Sequence, residues 1–384
     1  MPLNQAPVGA STFTITANTN QLDLSPELAE LIRTDNTVFL SRLGGVGMTA
    51  SQVRHYWNED KLISNLSGAP GSLDATTTTL TVNTGDGVKF KTGTLFRDTA
   101  KGQTEVLRVV SVAGDVLTLD TRGYGGVAAQ THATGFTILI IAHTRQESQD
   151  MNEDDTQERT SANNLLQIFQ RGVRIGYTRE KITNNAIASE FAHQVAYRLK
   201  EEMRALDNSL LNSVKSLDSG SNSDFRSMGG LNQFVSASTT NAITTVENLS
   251  ETVVNNMAEL IVKQAGTIEN GFLLCSPKMR RVISTFDQAF RRGTFDQTRA
   301  GYYVEKFVTD MGIDLEVIQD PWQPDDTIIV GDLARCKLIA LQNDEMRFEE
   351  LAKLGRSYRG QITGQYSAEF RNAQGAFAWH NNLS

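Results

Sequence analysis

The sequence predicts an α+β protein organised round one long helix, with a small all-β module inserted ahead of it. Three observations carry this. Apolar residues recur at three-and-four spacing from 186 to 217, at Phe191, Val195, Leu199, Met203, Leu206, Leu210, Val214 and Leu217, which gathers them on one helix face. From Ala69 to about Ile141 the texture changes to Thr, Val and Gly, with short alternating runs divided by turn signals, the pattern of a small barrel or sandwich. Beyond Gly229 and Gly230, helical and strand patterns mix, as in a compact α/β domain.

The long helix has the character of a strut. Arg198, Lys200, Glu201, Glu202, Arg204 and Asp207 lie between the apolar positions, which predicts a solvated back with pairs such as Glu201 and Arg204. No Pro or Gly interrupts it until Gly220, so at about 1.5 Å per residue it spans on the order of 45 Å. Phe191, Leu199, Met203 and Leu206 are expected to be buried along it.

Before the helix, the first 24 residues are rich in Asn, Thr, Gln and Ala and show no helical period, which suits an extended arm. Ser25 and Pro26 open a short helix through Leu28, Leu31 and Ile32, as N-cap and first position. A strand is expected through Val53, His55 and Trp57. In the module, Leu80, Val82, Phe90, Val106, Leu107, Leu117 and Leu119 can supply a core, with Thr on the outer strand faces. Gly85 to Gly87 and Arg122 to Gly126 are turn glycines and not phosphate loops, because no helix follows either and the GxxxxGK[ST] spacing is absent. The acidic run from 146 to 159 lacks the central Gly of a calcium loop and reads as a solvated turn. Alternation at Val173, Ile175 and Tyr177 predicts a strand leading into the strut.

After the strut, Leu249, Val253, Met257, Leu260 and Ile261 mark a helix from about Asn248 to Gln264, with Gly266 just past its end. Phe272 to Cys275 is a short buried strand, and Ser276 and Pro277 open the helix that follows. Further strands are expected at 303–308, 315–318, 327–330 and 338–341. Alternation from Ile362 to Phe370 predicts strands packing back on the strut.

Composition bounds the function classes. A chain of 384 residues exceeds one typical core, so two or three domains are expected. Net charge of -8 with a pI near 5.3 argues against gripping nucleic acid with the whole surface. The start lacks a signal-peptide pattern and no run of about 18 apolar residues occurs, so neither secretion by a signal peptide nor membrane spanning is expected. Cys275 and Cys336 each sit in an apolar run, which suits small buried hydrophobes in a reducing cytoplasm better than a disulfide framework. His55, His132, His143, His193 and His380 are scattered, and no zinc, P-loop, nucleophile-elbow or dinucleotide motif is present. No catalytic residue, metal ligand or cofactor is therefore assigned. The best nucleophile candidate is Cys275 at a strand-to-helix junction, where a helix N-terminus lowers a thiol pKa; Ser276 as a cap and Cys275 as a buried side chain fit the pattern better.

The order of segments resembles the tailed-bacteriophage major capsid (major head) protein, the Hong Kong 97 type fold shared with herpesvirus shells. The likeness rests on Trp57 to Leu62 with Asp60, on Arg159 to Thr178 with Asn164, Gln167 to Phe169 and Val173, and on Leu351 to Gly355. Met228 to Leu231 and Asp332 after Ile328 to Val330 add to it. It covers most of the chain, and the order of the motifs carries the weight, with the β module as an optional insertion. The resemblance implies an N-arm (1–40), an extended loop overlapping a neighbour (41–66 and 142–180), an inserted module (67–141), a peripheral domain with the spine helix (181–235 and 346–384) and an axial domain (236–345). Trp57, Asp60, Phe191, Leu199, Met203 and Leu206 are then the expected structural and assembly residues. Also implied are self-assembly into hexamers and pentamers of a head enclosing double-stranded DNA with weak nonspecific contact, and scaffolding, portal and cement proteins as further partners. The implied place is the virion, assembled in the host cytoplasm, with no membrane partner. Two other classes stay open on the residues alone: a cysteine-dependent hydrolase centred on Cys275, and a fibre or carbohydrate-binding protein resting on the module.

Overall fold

The computed structural model describes residues 37–60, 63–145, 147, 159–182, 189–217, 225–237, 241–286 and 305–383. The expected arm, the helix at Ser25, the bulk of the acidic run and the first residues of the strut lie outside that set. The chain divides into two compact units, residues 58–161 and the remainder.

The larger unit begins with α1 (Val38–Leu43), which stops at Gly44 in the left-handed region. Next come β1 (Val46–Ala50) and β2 (Arg54–Glu59). The smaller unit carries a six-stranded sheet of β3 (Leu66–Gly68), β4 (Thr79–Thr81), β5 (Thr94–Asp98), β6 (Val106–Ala113), β7 (Val116–Leu119) and β8 (Thr137–His143). Its order is β3-β8-β5-β6-β7-β4 and every pairing is antiparallel. The two end strands meet where Asn83 N–H donates to the Gly68 carbonyl at 2.8 Å, so the sheet curls toward a barrel. Period-two alternation puts Leu80, Leu107, Leu117, Leu119 and Ile138 inside, around Phe90 and Phe96 in edge contact at 5.7 Å. Val106 turns half outward. Gly93 is required: its φ is +86°, and a Cβ there would fall 2.0 Å from the Thr144 carbonyl oxygen.

Returning to the larger unit, β9 (Thr160–Leu165) pairs with β2, and β10 (Gln167–Gly176) leads into α2 (Tyr177–Lys181), which takes in the Tyr177 expected in the strand. The strut is α3 (Glu190–Asn212), capped by Ser189, whose side chain accepts the Ala192 N–H. It ends short of the expected Leu217. Ser213 is extended, its carbonyl accepts the Gly230 N–H, and the chain folds back as β11 (Ser216–Leu217) against β12 (Arg226–Ser227). Turn and strand bonds override an apolar spacing that ran on by coincidence.

The remaining elements are α4 (Leu231–Ser236), β13 (Ala242–Ile243), α5 (Glu251–Ala265), β14 (Gly271–Cys275), α6 (Pro277–Ile283), β15 (Lys306–Val308), β16 (Asp314–Gln319), β17 (Ile328–Asp332), β18 (Cys336–Leu341), β19 (Arg347–Glu350), β20 (Ser357–Phe370), α7 (Ala373–Ala376) and β21 (Phe377–His380). Ser250 and Ser276 cap α5 and α6 through their hydroxyls, and Pro277 opens α6.

Two sheets organise this unit. The first runs β1-β18-β20-β10, with β19 also on β20, and α3 packs on β10 and β20. The second runs β13-β21-β17-β14-β16-β15. Alternation along β14 sends Phe272 and Leu274 to the core shared with α1, α3 and α4, and Leu273 and Cys275 to the core under α5 and α6. The sheets cross the expected boundary at 345 in both directions. Residues 336–341, assigned to the axial segment, pair with β20, whereas 377–380, assigned to the peripheral segment, pair with β17.

Candidate assembly surface

The spine helix is seated more by charge than the apolar stripe predicts. Arg171 on β10 donates Nε–H to Glu202 at 2.6 Å and a terminal N–H to Glu201 at 2.7 Å, and Arg198 reaches Glu201 at 2.5 Å. Glu202 and Asp207, expected on the solvated back, are buried. Of the four residues expected to be buried, Leu206 is; Phe191 and Met203 are half-buried; Leu199 is 41% exposed. The buried face is centred on Leu206, Leu210 and Leu211, a rotation from the stripe that follows from carboxylates turning inward to meet Arg171 and the α1 backbone. At the N-terminal end an aromatic seat replaces aliphatic packing: Phe191 meets Phe348 at 5.9 Å and Tyr358 at 6.2 Å. Tyr358 stacks on Tyr177, with Lys353 and Arg356 over the two rings.

Trp57 is buried, 6.0 Å from the Phe234 ring and stacked near His55. His55 Nε2 lies 3.2 Å from the buried Glu369 carboxylate, which also meets Arg371. Beside them Asn164 makes four hydrogen bonds: its Nδ2 donates to the Gly229 and Ala368 carbonyls, and its Oδ1 accepts the Gly229 and Leu165 N–H groups. The turn it grips needs glycine, since a Cβ on Gly230 would sit 2.7 Å from the Leu211 backbone. Asp60, by contrast, is exposed in the smaller unit and faces Arg159 at 3.6 Å with both side chains about 70% accessible, a pairing worth little.

Sequence reasoning missed the hub of the smaller unit. Arg122, adjoining the turn glycines, forks onto Glu105 through Nε and Nη2 at 2.8 and 2.7 Å, and its remaining donors reach the carbonyls of Asp74, Thr77 and Gln130. His132 sits between Asp98 at 2.9 Å and Glu105 at 3.3 Å, stacked on Phe136. Burial works to raise the Glu105 carboxyl, but Arg122 and the Gln130 N–H outweigh it and bring it to about 2. The signal was an Arg beside a glycine turn, and its carboxylate partner, 17 residues away, is invisible to periodicity.

No reactive centre emerges among the described residues. Burial pushes the Cys275 thiol up to about 12 and raises Cys336 further, so neither supplies a thiolate nucleophile. No group of three metal-ligating side chains occurs among the described residues, nor any helix long and apolar enough to cross a membrane.

Over 98% of its length the chain is similar to the capsid of a native GTA particle, covering 100% of that chain at 10% identity with a TM-score of 0.53. A chain from Mycobacterium phage Cain gives 0.46 at 14% identity, covering 96% of both. The holo-SrpI encapsulin complex from Synechococcus elongatus gives 0.43 at 13%, covering 59% of this chain and 78% of that one. No match is found among curated proteins. The fold is that of the Hong Kong 97 type capsid proteins. A model of the SU10 major capsid protein family matches residues 9–384, and the chain belongs to that family of tailed-phage major capsid proteins.

Proposed function

We propose that copies of this chain self-assemble as hexamers and pentamers of an icosahedral or prolate phage head that encloses double-stranded DNA. The observation that carries this, beside the family, is an imbalance within the larger unit. Its cores are closed by buried side chains, while its ten-residue strand β10 keeps one edge without a strand beside it among the described residues. A long open edge is an aggregation hazard for a protein that works alone and an asset for one whose edges are covered by its neighbours.

In this reading 1–40 is the arm, 41–66 and 142–180 the limbs of the extended loop, and 67–141 a clamp that strengthens contacts between subunits. The peripheral part is the first sheet with α3, and the axial part the second sheet with α5 and α6. Trp57 and the residues round Phe191, Met203 and Leu206 hold the frame that presents these surfaces, and Asp60 and Leu199 are solvent-facing candidates for contact. Scaffolding, portal and cement proteins are the further partners, contact with packaged DNA is weak and nonspecific, and the mature location is the virion after assembly in the host cytoplasm. Size-exclusion chromatography of the expressed chain tests the reading: material eluting as capsomers or shells supports it, and a stable small monomer at all concentrations contradicts it.

A further inference from the structure

The outer face of the module sheet, where β4, β7 and β6 lie side by side, carries no charge. Thr79 and Thr81 on β4, Val116 and Thr118 on β7, and Ser111 and Ala113 on β6 are all exposed. Thr118 stands opposite Thr79 on one side and Ser111 on the other, and Val116 stands likewise between Thr81 and Ala113. Directly opposed residues share a sheet face. Val110, beside the register shift in β6, is 45% exposed, and Val116 is 39% exposed. Among the described residues the hydroxyls of Thr79, Thr81, Ser111 and Thr118 have no hydrogen-bond partner. Charges bordering these strands are already paired: Arg108 closes on Asp120, and the Asp115 carboxylate accepts the Gly85 and Gly87 N–H groups. Those last bonds tie the β6–β7 turn to the segment after β4, and a face held this way loses little freedom on docking.

We propose that this face pairs with the same face of the module in a second copy of this chain, across a two-fold axis. The inference rests on the clamping role given to the module and names the contact that performs it. In such a contact one patch serves both partners, so it must complement itself. Hydroxyls meet that condition, because each both donates and accepts and can bond its own duplicate. A face carrying charge of one sign would repel its copy, and this face carries none. Nucleic acid would need Lys or Arg against its phosphates, which the face does not offer. Size decides when the contact forms. Three strands about 4.8 Å apart and two outward residues on each give on the order of 200 Å², well under the about 800 Å² per partner of a stable pair. The modules therefore pair where the rest of the assembly holds copies together at high effective concentration.

The test uses assembled particles of the full chain carrying Thr118→Cys on the central strand, treated with a short bis-maleimide. The native Cys275 and Cys336 are buried and provide a silent background, and Lys101→Cys, exposed in the module outside this face, is the collision control. Covalent dimers on a denaturing gel are expected from Thr118→Cys and not from Lys101→Cys; no dimer, or equal dimer from both, overturns the proposal. Thr118→Asp and Thr118→Lys provide a second arm. Each alone sets like charges against each other across the contact and is expected to lower the temperature at which particles open, while particles co-assembled from the two are expected to open at a higher temperature than either. A different protein covering the face would respond to one sign and gain nothing from the mixture, a result that contradicts self-pairing. Parent particles are scored first by microscopy. If the parent forms none, the assembly reading falls and this inference with it, whereas parent shells without the dimer sink the pairing alone.

Discussion

Asp207 on the spine helix accepts a 2.6 Å hydrogen bond from the backbone N–H of Leu40, 167 residues earlier in the chain. The six-residue α1 has no side-chain cap from Thr37, so a distant carboxylate does the work of an N-cap. Burial pushes Asp207 up to about 6, against the Leu40 N–H, with the neighbouring Asp320 adding to the rise. Asp320 is itself raised by burial, and its Oδ2 has no partner.

The sign of the pH dependence follows. A carboxyl whose folded value lies above its unfolded 3.8 contributes stability fully present below about 3.8 and lost as pH rises through about 6. Asp207→Asn keeps an acceptor for Leu40 and removes the charge. Its melting temperature is expected to exceed the parent's at pH 7 to 8, with the gap closing as pH falls below about 4. Asp207→Ala loses the cap and is expected to cost about 1 kcal/mol. Melts across pH 3 to 8 check both, and a gap that widens toward acid would contradict the assignment.

Arg171→Ala leaves the buried Glu202 carboxylate without its partner and is expected to destabilise the subunit by about 1–3 kcal/mol. Arg171→Met combined with Glu202→Leu should recover most of that loss, because replacing both charges removes the unpaired one. Denaturant unfolding of the single and double variants measures it. Equal losses in both would show that the pair is not what seats the helix.

Leu199→Asp, which an apolar stripe on the core would forbid, is expected to change subunit stability by no more than about 0.5 kcal/mol, because the side chain is surface-facing. Leu210→Ala, fully buried, is expected to cost about 2–5 kcal/mol. Urea titrations of the two variants separate these outcomes. If the order is reversed, the observed rotation of the helix face is wrong.

Much of the local structure was legible because local chemistry decided it. Ser276 caps the helix that Pro277 opens, as their positions require, and the Thr and Leu alternation of 79–81 and 116–119 sets the module sheet. What failed depends on partners far away in sequence. Glu202 and Asp207 look solvated in a helical wheel and are buried because Arg171 and Leu40 come to them. The helix ends at Asn212 although Val214 and Leu217 keep the spacing, since Ser213 is bonded to Gly230. Nor could a single strand's pattern show that 336–341 and 377–380 exchange sheets, because β18 and β21 are equally apolar and only pairing register separates them. Arg122 and His132 meet their carboxylates only across the folded sheet, which the residues beside them in sequence do not show.

The smaller unit should separate cleanly. Deleting 69–138 behind a short Gly/Ser linker is expected to leave a foldable larger unit whose particles open at lower temperature than the parent's. Arg122→Ala, which takes the guanidinium from the buried Glu105, should reproduce part of that loss with the unit still present. Differential scanning calorimetry of particles reads both; unchanged particle stability after the deletion would refute the clamping role.

The most direct test of the central claim is negative-stain electron microscopy of the purified chain, with particle mass from analytical ultracentrifugation. Closed shells or rings of five and six copies are predicted. A homogeneous 42.2 kDa monomer that forms neither at any concentration or ionic strength would contradict the account.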